Sequence, residues 1–247
     1  MKTFFLSDFH LGAKYISDPK AHELKICHFL HQIGSQADHI YLLGDVLDYW
    51  YEYKEVVPRG FVRFFGTLAE LADNGVKITW ITGNHDIWLF GYLSEELGVE
   101  TIDAPYVIRN INGKNFVLAH GDRIGAGSFS FNLITKLFRN KFCQMLYGAI
   151  HPRWTVPFAH RWSSNSRYSH LITDDDESSH KKLIMEDAKR LLNSLDSPDY
   201  IIMGHHHLTM DEKIPSTDCR LIVLGEWITQ FTYASFEGST LSLHTCR

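Results

Sequence analysis

Five short clusters in this sequence combine aspartate, histidine and asparagine, and each follows a run of apolar residues. The clusters are Asp8-Phe9-His10, Gly44-Asp45-Val46-Leu47-Asp48, Gly83-Asn84-His85-Asp86, His120-Gly121 and Gly204-His205-His206-His207. Imidazole nitrogens with carboxylate and amide oxygens suit Mn, Fe, Zn or Co, whereas structural zinc usually involves thiolates. If the five clusters meet in space, they predict a divalent metal site without sulfur ligands.

The apolar runs before the clusters predict strands, and helical patterns separate several of them. The predicted strands are Lys2–Leu6, His39–Leu43, Val76–Ile81, the hairpin Tyr106–Asn110 with Asn115–Ala119, Tyr200–Met203, and three runs within 219–246. The predicted helices are Ala21–Ile33, Gly60–Ala72, Leu89–Leu97 and Ser179–Leu195. This alternation favours a mostly parallel sheet with helices on its faces. Ligands of such sheets bind beyond the carboxyl ends of the strands, so the clusters should converge there.

Residues 123–173 differ in charge from the rest of the chain. The segment has seven Lys and Arg residues and no Asp or Glu, although the whole chain has a net charge of −5. Residues 129–147 carry apolar pairs one turn apart, which predicts a single amphipathic helix. Residues 151–170 are aromatic and basic, with expected breaks at Pro152 and Pro157, and an acidic linker or helix cap is expected at 173–177. We interpret 123–173 as a lid inserted in one domain, 1–247, that offers a face to anionic partners.

Composition excludes several classes of protein. Hydrophobic residues make up 45% of the 247, which argues against disorder. An apolar stretch long enough to cross a membrane is missing, as is a signal-peptide core, so a cytoplasmic protein is expected. The four cysteines are scattered and do not resemble a disulfide framework. The negative net charge makes nucleic acid an unfavoured partner.

In chain order the clusters spell D-x-H, G-D-x-x-D, G-N-H-D, H-G and G-H-x-H, and the chain thereby resembles the calcineurin-like metallophosphoesterases. The resemblance covers residues 8–207 and implies an α/β fold, a β-sandwich flanked by helices (αββα) with an inserted helical lid. It implies two divalent metal ions, typically Mn²⁺. The first would be held by Asp8, His10, Asp45 and His207, and the second by Asp45, Asn84, His120 and His205, with Asp45 bridging.

The expected chemistry is attack of a metal-activated water on phosphorus. The predicted catalytic residues are Asp45, Asp48 and His85, with His85 as general acid or oxyanion stabiliser. Asp48 and Asp86 are expected to fix imidazole tautomers. Taken singly, the aspartates could be helix caps and Gly83-Asn84 a plain turn, and a non-catalytic binding protein is a further alternative.

The S-D-F-H-L-G and L-G-D-V-L-D-Y-W blocks and the insert after H-G-D are similar to UDP-2,3-diacylglucosamine pyrophosphohydrolases of lipid A synthesis. That resemblance implies cleavage of a nucleotide-linked glycolipid to lipid X (2,3-diacylglucosamine 1-phosphate) and UMP, by a peripheral protein at the cytoplasmic face of the inner membrane. The implied substrate contacts are Asn84, His85, Ser128, Arg161, Ser164, Arg167 and His205.

One position departs from that family. Its best-known branch has arginine where this chain has His85, which leaves open a phosphodiesterase acting on another nucleotide-linked lipid, a cyclic nucleotide or nucleic acid. The remaining histidines receive no functional role. We expect His22, His28, His31 and His39 to be solvated and His206 to point away from the site.

Overall fold

Two β-sheets pack face to face in the computed structural model, which describes residues 1–125, 129–168 and 174–246. The first sheet has the order β11-β10-β1-β2-β3-β4, formed by Thr240–Thr245, Thr232–Glu237, Lys2–Leu6, His39–Leu43, Lys77–Ile81 and Glu100–Ile102. The second has the order β5-β6-β7-β9-β8, formed by Val107–Ile111, Lys114–Ala119, Tyr200–Met203, Arg220–Val223 and Met210–Lys213.

Parallel strands occupy the centre of each sheet. Strands β1 to β4 are parallel, and so are β6, β7 and β9, while the other strands pair antiparallel at the edges. The prediction of one mostly parallel sheet is therefore wrong, because the hairpin through Asn112 and Gly113 lies in a second sheet. The αββα sandwich implied by the resemblance is confirmed.

Side chains of each central strand enter two different cores. In β1, Phe4 and Leu6 pack against the helices α1 (Pro19–Gly34) and α2 (Val62–Asp73), whereas Phe5 packs against the second sheet. The outer face of the second sheet is covered by α7, Asp174–Leu192. Because both faces of the central strands are buried, these strands are continuous apolar runs.

Most helices agree with their predicted positions. Helix α1 begins after Asp18, whose carboxylate accepts a hydrogen bond from the Ala21 amide at 2.9 Å. The short α3 spans Tyr92–Leu97. Of the two alternatives for 173–177, the acidic linker is wrong for its larger part, since α7 already begins at Asp174 and the acidic residues therefore lie at a helix start; Thr173 lies outside the described residues.

Three helices form the lid: α4 (Phe129–Arg139), α5 (Lys141–Gly148) and α6 (Pro152–Tyr168). The predicted single helix over 129–147 is wrong because Asn140 is extended and its side chain caps α5, accepting from the Phe142 and Cys143 amides. The expected break at Pro157 is also wrong, since α6 continues through it. Among the described helices, none has the length and apolarity needed to cross a bilayer.

The segment after β2 anchors the lid through tyrosine hydroxyls. Tyr49, Tyr51 and Tyr53 occupy alternate positions and contact, in that order, the Tyr147 hydroxyl at 3.1 Å, the Gln144 carbonyl at 2.6 Å and the Thr155 hydroxyl at 3.1 Å. The intervening Trp50 and Glu52 are buried in the opposite direction, where the Glu52 carboxylate accepts from the amides of Phe90 and Tyr92. One extended segment is therefore shared by the domain core and the lid.

Candidate metal centre

The five polar clusters meet at one edge of the sandwich. Each follows the carboxyl end of a parallel strand, namely β1, β2, β3, β6 and β7. Because parallel strands end at the same edge, residues almost 200 positions apart in sequence become neighbours, such as Asp8 and His207 at 3.5 Å. The predicted convergence is thus present in the structure.

The backbone of this edge is held in an uncommon conformation. Positive φ angles between 48° and 69° occur at Asp8, His10, Asp45, His205 and His207. Such φ angles cost of order 1–3 kcal/mol each in non-glycine residues, and they persist only where neighbours hold the chain. Here Asp8 and His10 donate their amides to the carbonyls of Gly44 and Asp45 at 3.1 and 2.9 Å. The strained backbone turns the side chains toward one point.

Three groups of possible ligands surround Asp45: two correspond to the predicted sets, and the third joins Asp45 to His10 and His85. In the first, Asp8, His10 and His207 lie together, with 3.2 Å between the Nε2 atoms of the two histidines. The second contains Asp45, His120 and His205, and Asn84 Oδ1 lies 3.2 Å from His120 Nε2. Asp45 Oδ2 is 3.9 Å from His10 Nε2 and 3.3 Å from His120 Nε2. The two predicted ligand sets are both assembled, with Asp45 between them.

Backbone and carboxylate contacts orient the imidazoles. The Nδ1–H group of His120 donates to the Leu43 carbonyl at 2.8 Å, which directs the Nε2 atom toward Asp45. Nδ1 of His10 lies 3.5 Å from the Asp48 carboxylate. Metal-binding histidines are commonly oriented by such a contact on the other ring nitrogen.

The electrostatics of the centre favour bound cations. Burial opposes protonation of His10 and His120, but the nearby carboxylates outweigh it and raise the pKa of His10 to about 9 and of His120 to about 10. Burial also opposes ionisation of Asp45, yet the surrounding histidines hold its pKa well below the usual range. Burial lowers the pKa of His205, which keeps that imidazole neutral and able to coordinate. This buried set of carboxylate, amide and imidazole donors fits divalent metal ions.

Two glycines allow the metal ligands to approach one another. Gly44 has a φ of 81°, and a Cβ there would overlap the imidazole of His120. A Cβ at Gly83 would overlap the Asp45 carboxylate. The glycines of the G-D and G-N motifs are therefore required by the close packing around Asp45.

Comparison with known proteins identifies the family. A family model described as calcineurin-like phosphoesterase matches residues 1–209. The chain belongs to the calcineurin-like phosphoesterase family. UDP-2,3-diacylglucosamine hydrolase of Porphyromonas gingivalis is 38% identical over 256 residues, which covers 99% of this chain and 97% of the relative. A protein of the same name from Nitrosococcus oceani is 27% identical, covering 92% of this chain and 88% of its own. An archaeal phosphodiesterase of known structure is 15% identical, with a TM-score of 0.50 and full coverage of both chains.

The family prediction made from the five clusters is thus confirmed, and this calcineurin-like phosphoesterase is a hydrolase. Within it, His85 lies at the mouth of the centre with 18% of its side chain exposed. Its amide donates to Asp45 at 2.9 Å, its Nδ1–H donates to the Asp48 carbonyl at 3.0 Å, and its Nε2 lies 3.8 Å from the Asp45 carboxylate. His85 is thereby held with one nitrogen facing the centre.

The two predicted tautomer-fixing aspartates differ. Asp48 lies 3.5 and 3.6 Å from Nδ1 of His10 and His85, as that prediction requires. The prediction for Asp86 is wrong: its carboxylate accepts from the amides of Gly83 and Val46 and from the Trp80 indole. Burial and the Asp45 charge raise the pKa of Asp86 to about 6. Its sequence position beside His85 suggested an imidazole partner, but the turn directs the Asp86 carboxylate into the domain, where it stabilises the backbone amides of the neighbouring loops.

The predicted substrate contacts lie partly at the metal centre and partly in the lid, and the structure describes only some of those in the lid. Asn84, His85 and His205 lie at the centre, and Arg161 is exposed on α6. Ser164 and Arg167 belong to α6, and Ser128 lies outside the described residues. The roles of these lid residues stay predictions.

Two of the four histidines expected to be solvated are not. His22 is buried and bonds the Phe9 carbonyl at 2.8 Å through Nε2. His39 bonds the Thr79 hydroxyl at 2.8 Å. Both lie where an element packs against its neighbour, which a local sequence pattern does not reveal. His28 and His31 are exposed as predicted, and the ring of His206 packs against that of His180.

Several supporting residues were missed by the sequence analysis. Gln230 donates to the His207 carbonyl at 2.7 Å, and the Trp227 amide donates to the Asp8 carbonyl at 3.1 Å. Arg139 of the lid reaches the Gly83 carbonyl at 3.2 Å. These residues belong to no motif, and the basic character of the insert was the only signal for Arg139.

Proposed function

We propose that the protein hydrolyses the pyrophosphate bond of UDP-2,3-diacylglucosamine, releasing UMP and 2,3-diacylglucosamine 1-phosphate. The observation that carries the proposal is the match over 99% of the chain, lid included, to a relative named as a hydrolase of that substrate. The metal centre supplies the hydrolytic site, and the lid supplies an apolar, basic surface beside it. Both features fit a phosphate ester that carries acyl chains.

Some residues of the centre would bind the metal ions, and others orient the side chains around them. Asp8, His10, Asp45 and His207 would hold one divalent ion, and Asp45, Asn84, His120 and His205 the other. When bound, two such ions neutralise phosphate charge and lower the pKa of a coordinated water. We propose Mn²⁺ for both, since mixed nitrogen and oxygen donors suit it.

His85 is proposed to act on the phosphate itself. Its Nδ1–H is bound to the Asp48 carbonyl, so Nε2 is the atom that faces the substrate side. From there it stabilises charge on a phosphate oxygen or delivers a proton to the leaving group. Asp48 acts through His85 and His10 by holding their ring planes, which makes it a positioning residue.

The outer surface of the lid supports a location at the cytoplasmic face of the inner membrane, where the protein would bind peripherally. Phe142, Trp154 and Phe158 expose 63%, 68% and 58% of their surface, and Lys141 and Arg153 beside them are also exposed. The tyrosine contacts fix the opposite side of the lid on the domain. Aromatic and basic side chains together are typical of helices that lie in an anionic lipid interface.

The proposal is tested by following UMP release from UDP-2,3-diacylglucosamine in detergent micelles. The purified protein is incubated with Mn²⁺, and parallel reactions contain bis(p-nitrophenyl) phosphate, a cyclic nucleotide or single-stranded DNA. We expect UMP release with Mn²⁺ and none with chelator. Faster turnover of a cyclic nucleotide or DNA than of the lipid nucleotide would replace the proposal with a general phosphodiesterase.

A further inference from the structure

Arg139, the last residue of α4, extends from the lid to the edge of the metal centre. Its Nη2 donates to the Gly83 carbonyl at 3.2 Å, and its Nε donates to the Asp103 carboxylate at 3.1 Å. The same Nη2 lies 3.5 Å from the carboxylate of Asp122, two residues after His120. Only 14% of the Arg139 side chain is exposed. The guanidinium is therefore held in one orientation by a carbonyl and two carboxylates.

The carbonyl that Arg139 binds belongs to the loop that carries Asn84 and His85. The Gly83 amide faces the domain and donates to Asp86 at 2.6 Å. The two peptide groups that flank the Gly83 Cα are thus held from different sides, the amide by Asp86 of the domain and the carbonyl by Arg139 of the lid. Because Gly83 packs directly on the Asp45 carboxylate, a shift of this loop moves Asn84 and His85 relative to Asp45.

Both ends of this loop are connected to the end of α4, the first through Asp103 and the second directly. At the start, the Thr82 hydroxyl donates at 3.0 Å to the same Asp103 oxygen that Arg139 binds. At the far end, the Trp88 indole donates to the Phe138 carbonyl at 2.8 Å. The break at Asn140 ends α4 at this point and so places Phe138 and Arg139 over the loop.

We propose that Arg139 is a positioning residue through which the lid sets the geometry of the metal centre. By holding the Gly83 carbonyl, it fixes the Asn84 amide as a metal ligand and the His85 imidazole at the substrate side. The lid thus contributes to metal binding as well as to substrate binding. This inference rests on the metal-dependent hydrolase function proposed above and adds to it a residue outside every sequence motif.

The test compares Arg139→Gln and Arg139→Lys with the unmodified protein. Mn²⁺ affinity is measured without substrate, from the paramagnetic resonance signal of free Mn²⁺, and kcat and KM are measured on bis(p-nitrophenyl) phosphate. We expect Arg139→Gln to weaken Mn²⁺ binding and lower kcat by about 10- to 100-fold, the range for residues that orient ligands, with little change in KM. Arg139→Lys should show intermediate losses of Mn²⁺ affinity and kcat, since one ammonium group cannot reproduce the hydrogen bonds of the guanidinium to both the Gly83 carbonyl and the Asp103 carboxylate.

Two control variants separate positioning from simple attachment of the lid. Tyr51→Phe keeps the ring and removes only a hydroxyl contact of the lid, to the Gln144 carbonyl, which does not involve the Gly83 carbonyl. Lys136→Gln removes an exposed lid cation on the same helix as Arg139. Both should keep the Mn²⁺ affinity of the unmodified protein.

An unchanged Mn²⁺ affinity in Arg139→Gln, or an equal loss in Tyr51→Phe, would overturn the proposal and leave Arg139 as a lid anchor. If circular dichroism shows that Arg139→Gln does not fold, the Mn²⁺ affinity of Arg139→Lys is judged by the same two criteria. Because Mn²⁺ affinity and diester turnover do not involve the lipid nucleotide, failure of the unmodified protein to release UMP would contradict the proposed substrate alone.

Discussion

Nε2 of His120 lies 3.3 Å from the Oδ2 atom of Asp45. Since the other ring nitrogen of His120 donates to the Leu43 carbonyl, the imidazole directs Nε2 to the space around that carboxylate. His10 approaches Asp45 from the other group of ligands, at 3.9 Å. Asp45 is therefore the residue on which both halves of the centre depend, and it is the first to test.

Replacing Asp45 with asparagine keeps its size and removes its charge. We expect loss of both metal ions and a fall in kcat of at least about 10³-fold, because metal ions supply several kcal/mol of transition-state stabilisation and each tenfold change is ~1.4 kcal/mol. Metal content by mass spectrometry and phosphodiester turnover measure the two effects. Asp218→Asn, at an exposed position, is the matched control. A fully metallated, active Asp45→Asn protein would contradict the bridging role.

Replacing His85 with glutamine removes its proton-transfer capacity. We expect both metals to stay bound while kcat falls by about 10²- to 10⁴-fold, the usual effect of losing an acid–base group. The measurement pairs metal content with kcat. Because Nε2 of His85 lies near Asp45, loss of one metal ion would instead assign His85 as a ligand. His28→Gln, on the exposed face of α1, should change neither quantity.

Membrane binding should depend on the aromatic residues exposed on the lid. Burying one such side chain in lipid contributes about 1.5–3 kcal/mol, so Phe142→Ser and Trp154→Ser should each weaken binding to anionic vesicles by about tenfold or more. Sedimentation with vesicles of phosphatidylglycerol and phosphatidylethanolamine measures this binding. Val62→Ser, which alters an exposed apolar residue of α2, should have no effect. Equal binding of all three variants would place the membrane contact elsewhere.

Acid should destabilise the fold through His39. Burial lowers the pKa of His39 to about 4, from an ordinary value of 6.5, so the folded protein keeps this imidazole neutral. Its stabilising effect is complete above pH 6.5 and is lost as the pH falls from 6.5 toward 4, because the unfolded chain takes up the proton first.

Urea unfolding of metal-free protein between pH 7 and pH 4.5 checks this expectation. The free energy of unfolding of His39→Gln should fall less steeply with acidification than that of the unmodified protein. His28→Gln, at an exposed position, should follow the unmodified protein. Parallel curves for all three proteins would exclude His39 as the source of the pH dependence.

The central strands could be predicted to the residue, as for Lys2–Leu6 and His39–Leu43, because burial on both faces produces uninterrupted apolar runs. The division of these strands between two sheets could not be predicted, since strand pairing is set by contacts between residues distant in sequence. The edge strand Met210–Lys213 was missed because its exposed residues are charged. The helix break at Asn140 depends on a single side-chain cap.

The convergence of the candidate metal ligands could be predicted because each motif contains a candidate ligand and the turn that presents it. Residues that act through tertiary packing could not be predicted from the sequence. Asp86 lies beside His85 in sequence yet accepts from the Gly83 amide, and Arg139, 56 residues away, donates to the Gly83 carbonyl. Their roles follow from how the lid and the loop pack, which local spacing does not encode.

The alternating side chains of residues 49–53 also bear on how the protein unfolds. Trp50 and Glu52 are buried in the domain while the tyrosines that alternate with them bind α5 and α6, so the lid cannot detach without disturbing a segment that the sandwich itself buries. Regions joined in this way open as one cooperative unit in hydrogen exchange. The lid should therefore share the melting transition of the sandwich, and the contacts of Arg139 with the Gly83 loop would be lost together with the exposed aromatic surface of α5 and α6 rather than in stages.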